Sequence, residues 1–234
     1  MASRAIRTSG AMVSAAAVLA LAVGCSDADA VSPEQQRAVD VTLTQADLPA
    51  GFHAAKLGKD ELQQMTDQLV DSTKKAQVTP ANCVAPGAMV KKIDTATVGV
   101  MAATNAEVAV SESVQFADDV DGGVDLRTAR REVTGDCGTV HVAVTAGPVK
   151  GSDIDVTYSV LDLPRGRADD VLVVESRSRT VNGSKSGSMD LLVGNALVDG
   201  YLVTVQMSPI DGSGGLDRAA FADVFAKAVA KAAK

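Results

Sequence analysis

The chain contains three cysteines, Cys25, Cys83 and Cys137, and these are the residues whose chemistry is clearest. Cys25 follows the small residue Gly24 at the end of an amino-terminal apolar run, which is the context of a bacterial lipid-attachment site. Cleavage would remove residues 1–24, and the thiol of Cys25 would then accept a diacylglyceryl group. Two acyl chains give stable anchoring, whereas one chain alone binds a membrane only marginally. The sequence therefore predicts lipidation at Cys25.

The segment before Cys25 has the pattern of a signal peptide. Arg4 and Arg7 give it a positive start, and the apolar run Ala11–Val23 is shorter than the roughly 20 residues that span a bilayer. Two alternatives stay open: cleavage at a nearby small residue without lipid, or an uncleaved anchor. In the favoured interpretation residues 25–40 are an acylated tether.

The remaining pair, Cys83 and Cys137, predicts a disulfide, because paired cysteines in an exported protein are usually oxidised. Closing a loop of this length stabilises a chain by about 4 kcal/mol in the chain-entropy model. The alternative is two buried, inert thiols. The chain has only two histidines, His53 and His141, and neither neighbours a cysteine, so we predict no metal site and no cofactor.

Catalytic motifs are weak. Ser72 and Lys75 match the S-x-x-K nucleophile motif of penicillin-binding enzymes, but the companion S-D-N and K-T-G motifs are absent. A serine–histidine–acid triad would need His53 or His141, and His141 lies on the polar side of an alternating strand, where it is expected to face solvent. An envelope hydrolase is thus the least favoured class, and we predict that the protein is not an enzyme.

Charged residues inside the predicted strands are the remaining candidates for a site. Glu175, Arg177 and Arg179 share one strand face, which indicates either a solvated sheet face or recognition of an anionic or zwitterionic ligand. Glu112 is the one charge on the apolar side of its strand. A buried carboxylate needs a partner or a raised pKa, so Glu112 is expected at an open end of the sheet, with a polar pocket as the alternative. The ligand-binding residues stay unknown.

Composition excludes several classes of function. The formal net charge is −7 at pH 7, which is unsuited to the phosphates of nucleic acid. The chain has no Trp, two Tyr and four Phe, so it lacks the aromatic platforms on which bases stack. Its core must therefore be built mostly from Val, Leu and Ala, and its length suits one domain, expected over residues 41–234.

Hydrophobic periodicity predicts helices over Lys59–Ser72, Asp121–Thr134 and Asp217–Ala232. A further short helix is expected after Cys83, ending at about Lys92. Period-2 alternation predicts strands over 51–56, 97–103, 106–116, 140–144, 154–160, 171–181, 187–198 and 201–207. Asn182-Gly183 and Asp199-Gly200 are typical of type I′ hairpin turns. The predicted fold is therefore α+β, a mainly antiparallel twisted sheet with helices packed on one face in a single domain.

The segment Leu43–Phe52 reads LTQADLPAGF and resembles the "ADLPAGF" segment of actinobacterial envelope lipoproteins that are similar to PknH-type extracellular sensor domains. The resemblance covers roughly residues 40–234. It implies an antiparallel sheet flanked by helices, with a cleft for an unidentified ligand. This chain has one cysteine pair where those domains have two, and it lacks their Trp, so no binding residue is carried over.

These observations favour a non-enzymatic, lipid-anchored ligand-binding or sensor-like module on the outer face of the plasma membrane. Its expected partners are the membrane, through the lipid on Cys25, and an envelope protein or a small hydrophobic ligand. The alternative is a carrier of lipid or another hydrophobic ligand. A large apolar cavity between sheet and helices would favour the carrier, whereas a closed core with a polar groove would favour the binding module.

Overall fold

Alternating apolar side chains build one antiparallel sheet, which has nine strands within the residues that the structure describes. The structure is a computed structural model that describes residues 31–55, 76–83, 97–120, 123–146, 149–210 and 215–234. Several predictions fall outside these ranges. They are the signal segment with Cys25, the Ser72–Lys75 motif, the helix over residues 59–72 and the short helix that ends at about residue 92. The mainly antiparallel α+β fold is confirmed.

The strands are β1 (His53–Ala54), β2 (Ala76–Thr79), β3 (Gly99–Thr104), β4 (Val108–Phe116), β5 (Thr139–Val144), β6 (Asp153–Leu161), β7 (Asp170–Asn182), β8 (Lys185–Val198) and β9 (Tyr201–Pro209). Their order in the sheet is β1-β3-β4-β9-β8-β7-β6-β5-β2. Strand β2 was not predicted, because four residues give too short an alternation to recognise. The other strands lie within a few residues of their predicted positions.

The described helices are α1 (Pro33–Asp40), α2 (Leu126–Thr134) and α3 (Arg218–Ala232). Ser32, Asp125 and Asp217 cap their first turns with side-chain oxygens. Helix α1 lies within the residues predicted to be tether, yet Ala38 is fully buried and α1 contacts β3 and β4. Residues 33–40, which were predicted to be part of the tether, therefore form a helix that packs on the sheet.

The helices pack on both faces of the sheet. Val171 and Val173 of β7 belong to the core beneath α1 and α3. Leu172 and Val174, on the other face of the same strand, contact Leu126 of α2. The prediction that all helices share one face is wrong, because the continuous apolar run of β7 requires cover on both sides.

Helix α3 fills the space above the first of these faces. Its Phe and Val side chains are buried, and the rings of Phe221 and Phe225 stack with centroids 5.9 Å apart. Both rings lie against Gly194 of β8, where an added Cβ would come within 2.7 Å of the Phe225 ring. The absence of a side chain at Gly194 therefore lets the two aromatic rings approach the sheet closely.

The predicted disulfide between Cys83 and Cys137 is present and joins positions 54 residues apart in the sequence. Both cysteines are buried, and they pack with Val140 and Val142 of β5. The bond ties the chain that leaves β2 to the turn that enters β5, so it closes the second face of the sheet. Among the described residues, no helix is long and apolar enough to cross a membrane.

The two hairpin turns differ from each other. Asp199 and Gly200 both have positive φ, 48° and 82°, which confirms the predicted type I′ turn. In the other hairpin β7 extends through Asn182, and the turn is Gly183-Ser184, with positive φ at Gly183 alone. That pattern is typical of type II′, so the I′ turn predicted one residue earlier is wrong. The Asn182 side chain donates to Ser152 Oγ at 2.8 Å and stays with the strands.

Candidate functional site

The first face of the sheet, the side of Val171 and Val173, changes from apolar to polar along the strands. Beneath α1 and α3 it carries the main core. Over β5, β6 and the distal half of β7 and β8, the same face carries polar side chains. We call this region the polar sheet face, and its residues are Thr139, His141, Asp155, Thr157, Ser159, Glu175, Arg177, Arg179, Ser188 and Asp190.

The strand register aligns these side chains in rows that run across the sheet. In one row, Asp155 lies opposite His141 on one side and Arg179 on the other, and Arg179 lies opposite Ser188. In the next row, Arg177 lies between Thr157 and Asp190. Directly opposed side chains on a sheet are about 5 Å apart and interact. The face therefore presents a lattice of alternating positive, negative and hydroxyl groups.

Glu175 is the buried end of this lattice. It is 3% exposed, and its carboxylate accepts hydrogen bonds from Arg177 Nη2 at 2.7 Å and from Arg218. Burial raises the pKa of Glu175, but the bonds from the two guanidinium groups outweigh burial and the net shift is downward. The expectation of a fully solvated row is thus wrong for Glu175, whereas Arg177 and Arg179 are exposed as predicted.

The carboxylate of Glu175 fixes two exposed cations at the boundary between core and polar face. The side chains of Arg177 and Arg218 are 65% and 58% exposed. Arg218 opens α3, and its role was missed because it lies 43 residues from Glu175 in the sequence. A signal was present in the alternation of β7, which places Glu175 on the apolar side of its strand.

His141 lies at the other end of the lattice and is partly exposed, as predicted. Its Nδ1 is 2.9 Å from Asp155 Oδ1, and its Nε2 is 3.5 Å from Asp153 Oδ1. The hydrogen bond with Asp155 raises the pKa of His141. Within the described ranges, no group of three or more His, Cys, Asp or Glu side chains is arranged to hold a metal ion.

A concave region lies near the disulfide. It is an open groove of about 380 Å³ whose lining residues are Asn82, Thr128, Arg131, Glu132, Gly135, Asp136 and Cys137. Sequence reasoning did not identify this groove, because Asn82 lies more than 40 residues from the rest of the lining in the sequence.

Glu112 lies in the core. It is 1% exposed, its Oε2 accepts a 2.7 Å hydrogen bond from the backbone N–H of Leu43, and its Oε1 has no partner in the described part of the chain. Burial raises its pKa to about 7, against the opposing effects of the Leu43 bond and the charge of Lys231. The expected position at an open end of the sheet is wrong, because α1 and the loop after it cover this part of β4.

Lys231 of α3 holds that covering loop in place. Its ammonium group donates to the carbonyl oxygen of Thr42 at 2.8 Å and to Asp47 Oδ2 at 2.7 Å. The bond from Lys231 is the main cause that lowers the pKa of Asp47 to about 2. Glu112 and Lys231 thus position the segment around residues 42–47.

Comparison with solved structures shows a similar fold elsewhere. An X-ray structure of an uncharacterised protein of Mycobacterium smegmatis, the Rv0999 ortholog, is 14% identical with a TM-score of 0.50, and the alignment covers 86% of this chain and 99% of that one. The extracellular domain of PknH from Mycobacterium tuberculosis is 15% identical with a TM-score of 0.47, and the alignment covers 85% and 95%.

The second of these proteins is the kind of domain that the Leu43–Phe52 segment resembles. No family model and no curated protein matches the sequence. At such low identity, the similarity to the Rv0999 ortholog shows the fold alone. The chain therefore shares with that protein an α+β fold built on an antiparallel sheet.

Proposed function

We propose that this chain is an exported, non-enzymatic envelope module, anchored by lipid on Cys25, that binds a polar or ionic ligand on its polar sheet face. The observation that carries the proposal is the exposed lattice of charges on β5–β8, which is fixed at one end by the buried carboxylate of Glu175. Groups held in fixed positions by the fold lose little entropy on binding, and this favours recognition.

Export is supported by two independent features. The sequence before Cys25 has the pattern of a lipoprotein signal, and the domain contains a disulfide, which persists mainly in oxidising compartments. Lipid at Cys25 would hold the domain at the outer face of the plasma membrane.

The packing beneath α3 favours this module over the alternative, a lipid carrier. A carrier needs free apolar volume between helix and sheet. Phe221 and Phe225 occupy that space above Gly194, where even a Cβ would collide with them. The described polar surface therefore supports the binding module better than the apolar core supports a carrier.

The test is native mass spectrometry of the processed protein isolated from its own envelope. We expect a bound polar or ionic molecule, because the polar sheet face offers charged groups of both signs. The variant Arg179→Ala removes one exposed cation from the centre of that face and should lose the adduct. Arg127→Ala removes an exposed cation from α2 on the other side of the sheet, and it should keep the adduct.

Two results would contradict the proposal. A co-purifying lipid that survives Arg179→Ala would support the carrier instead. Equal loss of the adduct in Arg179→Ala and Arg127→Ala would show that general charge, and not the polar sheet face, retains the molecule.

A further inference from the structure

The distal half of β8 is a strand edge that the described sheet leaves open. Residues 185–197 of β8 pair with β7, but pairing with β9 begins only at Leu192, opposite Met207. Continued in the same register, Pro209 would lie opposite Asp190. Proline has no N–H to donate, so it ends the ladder at this point.

The main-chain groups of this edge have a definite orientation. A two-residue turn places Asn182 and Lys185 in a hydrogen-bonded pair. Because hydrogen-bonded and non-bonded pairs alternate along an antiparallel ladder, Ser186, Ser188 and Asp190 direct their N–H and C=O groups away from β7. Among the described residues, no backbone–backbone ladder continues on this side of β8 before Leu192.

The open edge belongs to a strand whose other side is fully paired. Strand β7 is paired with β6 as far as Val181, opposite Asp153, and β6 is paired with β5. The edge is therefore the border of a multi-stranded sheet rather than of a free hairpin. In contrast, the strands at the two ends of the described sheet are short, with two residues in β1 and four in β2. Short edge strands limit pairing with other chains, whereas a longer edge presents more unpaired N–H and C=O groups.

The side chains of the edge fit an identical edge. A two-fold axis at Ser188 would place Ser186 opposite Asp190 of the second copy and Ser188 opposite Ser188 of that copy. No like charges would then lie opposite each other. On the other face, Met189 would cover Gly187 of the second copy. Met189 is 49% exposed in the single chain, so this pairing would bury an apolar side chain that now faces solvent.

We infer that the β8 edge, residues 185–191, pairs antiparallel with the same edge of a second copy of this chain, around a two-fold axis at Ser188. The pairing would form about six main-chain hydrogen bonds and join two sheets into one. A bound peptide of another protein fits less well, since small residues such as Ser186, Gly187 and Ser188 offer no pockets that would select its side chains.

The experiment is site-directed cross-linking of the full chain in the membrane of expressing cells, with cysteine placed at single positions. Ser188→Cys puts a thiol on the axis, where the two Cα atoms would be about 5.5 Å apart, within disulfide range. Two matched controls are also exposed: Arg179→Cys, opposite Ser188 on β7, and Ser184→Cys at the hairpin tip.

We expect about tenfold more disulfide-linked dimer from Ser188→Cys than from either control, because only position 188 meets its own copy at that separation. Equal yields from the three variants, no dimer at 188, or an adduct with a chain of another mass would overturn the inference.

A second measurement uses charge in place of cysteine. Ser188→Lys and Ser188→Glu would each oppose like charges across the axis, and each alone should reduce the dimer fraction in analytical ultracentrifugation of the detergent-solubilised full chain. An equimolar mixture of the two variants should restore the dimer through opposite charges. A mixture that stays as monomeric as its components would contradict pairing at Ser188.

Discussion

At the level of single residues, Glu112 shows how a long-range contact changes the chemistry of a side chain. The sequence marks it as a charge on an apolar strand face, but its pKa depends on α1 and the loop at Leu43 that cover it. Because burial raises its pKa to about 7, the carboxyl is protonated to a higher pH in the folded protein than an exposed glutamate is. The charge of Lys231 lowers this pKa and the charge of Asp47 raises it.

Glu112 predicts a pH dependence of stability. Its pKa rises from 4.5 when exposed to about 7 in the fold, so the folded state binds this proton more tightly than the unfolded state. The stabilisation is fully present below about pH 4.5 and is lost as pH rises through about 7. The free energy of unfolding of the wild type, relative to Glu112→Gln, should fall by about 2 kcal/mol between pH 5 and 8.

Urea unfolding of both proteins at several pH values measures this difference. The comparison with Glu112→Gln cancels the contributions of His141 and the other titrating groups, because they are common to both proteins. A difference that stays constant over the pH range would contradict a raised pKa of Glu112.

At the level of elements, the close approach of α3 to β8 decides how the core is filled. Gly194→Ala should destabilise the protein by about 1–3 kcal/mol, because the new Cβ would lie 2.7 Å from the Phe225 ring and push α3 outward. Thermal and urea unfolding measure the change.

Gly187→Ala is the matched control on the same strand. An added Cβ there meets no atom within 4 Å, so stability should change by no more than about 0.5 kcal/mol. If the two substitutions have equal effects, strand propensity rather than contact with α3 governs position 194.

At the level of the whole molecule, the docking of α1 shortens the link between the proposed anchor and the domain. If Cys25 carries the lipid, residues 25–32 span at most about 27 Å, so the domain would stay close to the membrane surface. Such a short tether would also restrict how two anchored copies can approach each other.

The anchor gives a direct prediction. Cys25→Ala removes the thiol that would accept the diacylglyceryl group, and the chain should move from the membrane fraction to the soluble fraction and lose the mass of the lipid. Ser26→Ala, one residue away, should leave the membrane location and the lipid mass of the chain unchanged. A Cys25→Ala chain that is still cleaved at the same place and still membrane-bound would show that Cys25 is not the anchor.

The sequence alone was enough to place most strands, the apolar stripe of α3, the type I′ turn at Asp199-Gly200 and the pairing of Cys83 with Cys137. Each of these follows from residues close together in the chain or, for the disulfide, from the small number of cysteines. Local periodicity and turn chemistry act within a few residues, so they are visible before the chain folds.

The tertiary structure alone decided which face of the sheet each helix covers and that Glu112 is buried. It also decided that Arg218 bonds to Glu175 and that β8 extends beyond its pairing with β9. These features depend on the order and register of strands that lie far apart in sequence. A carboxylate on an alternating strand has the same local pattern whether a helix covers it or solvent does. The environment of such a carboxylate is fixed only when the sheet is assembled. The same is true of the polar sheet face and of the open edge of β8.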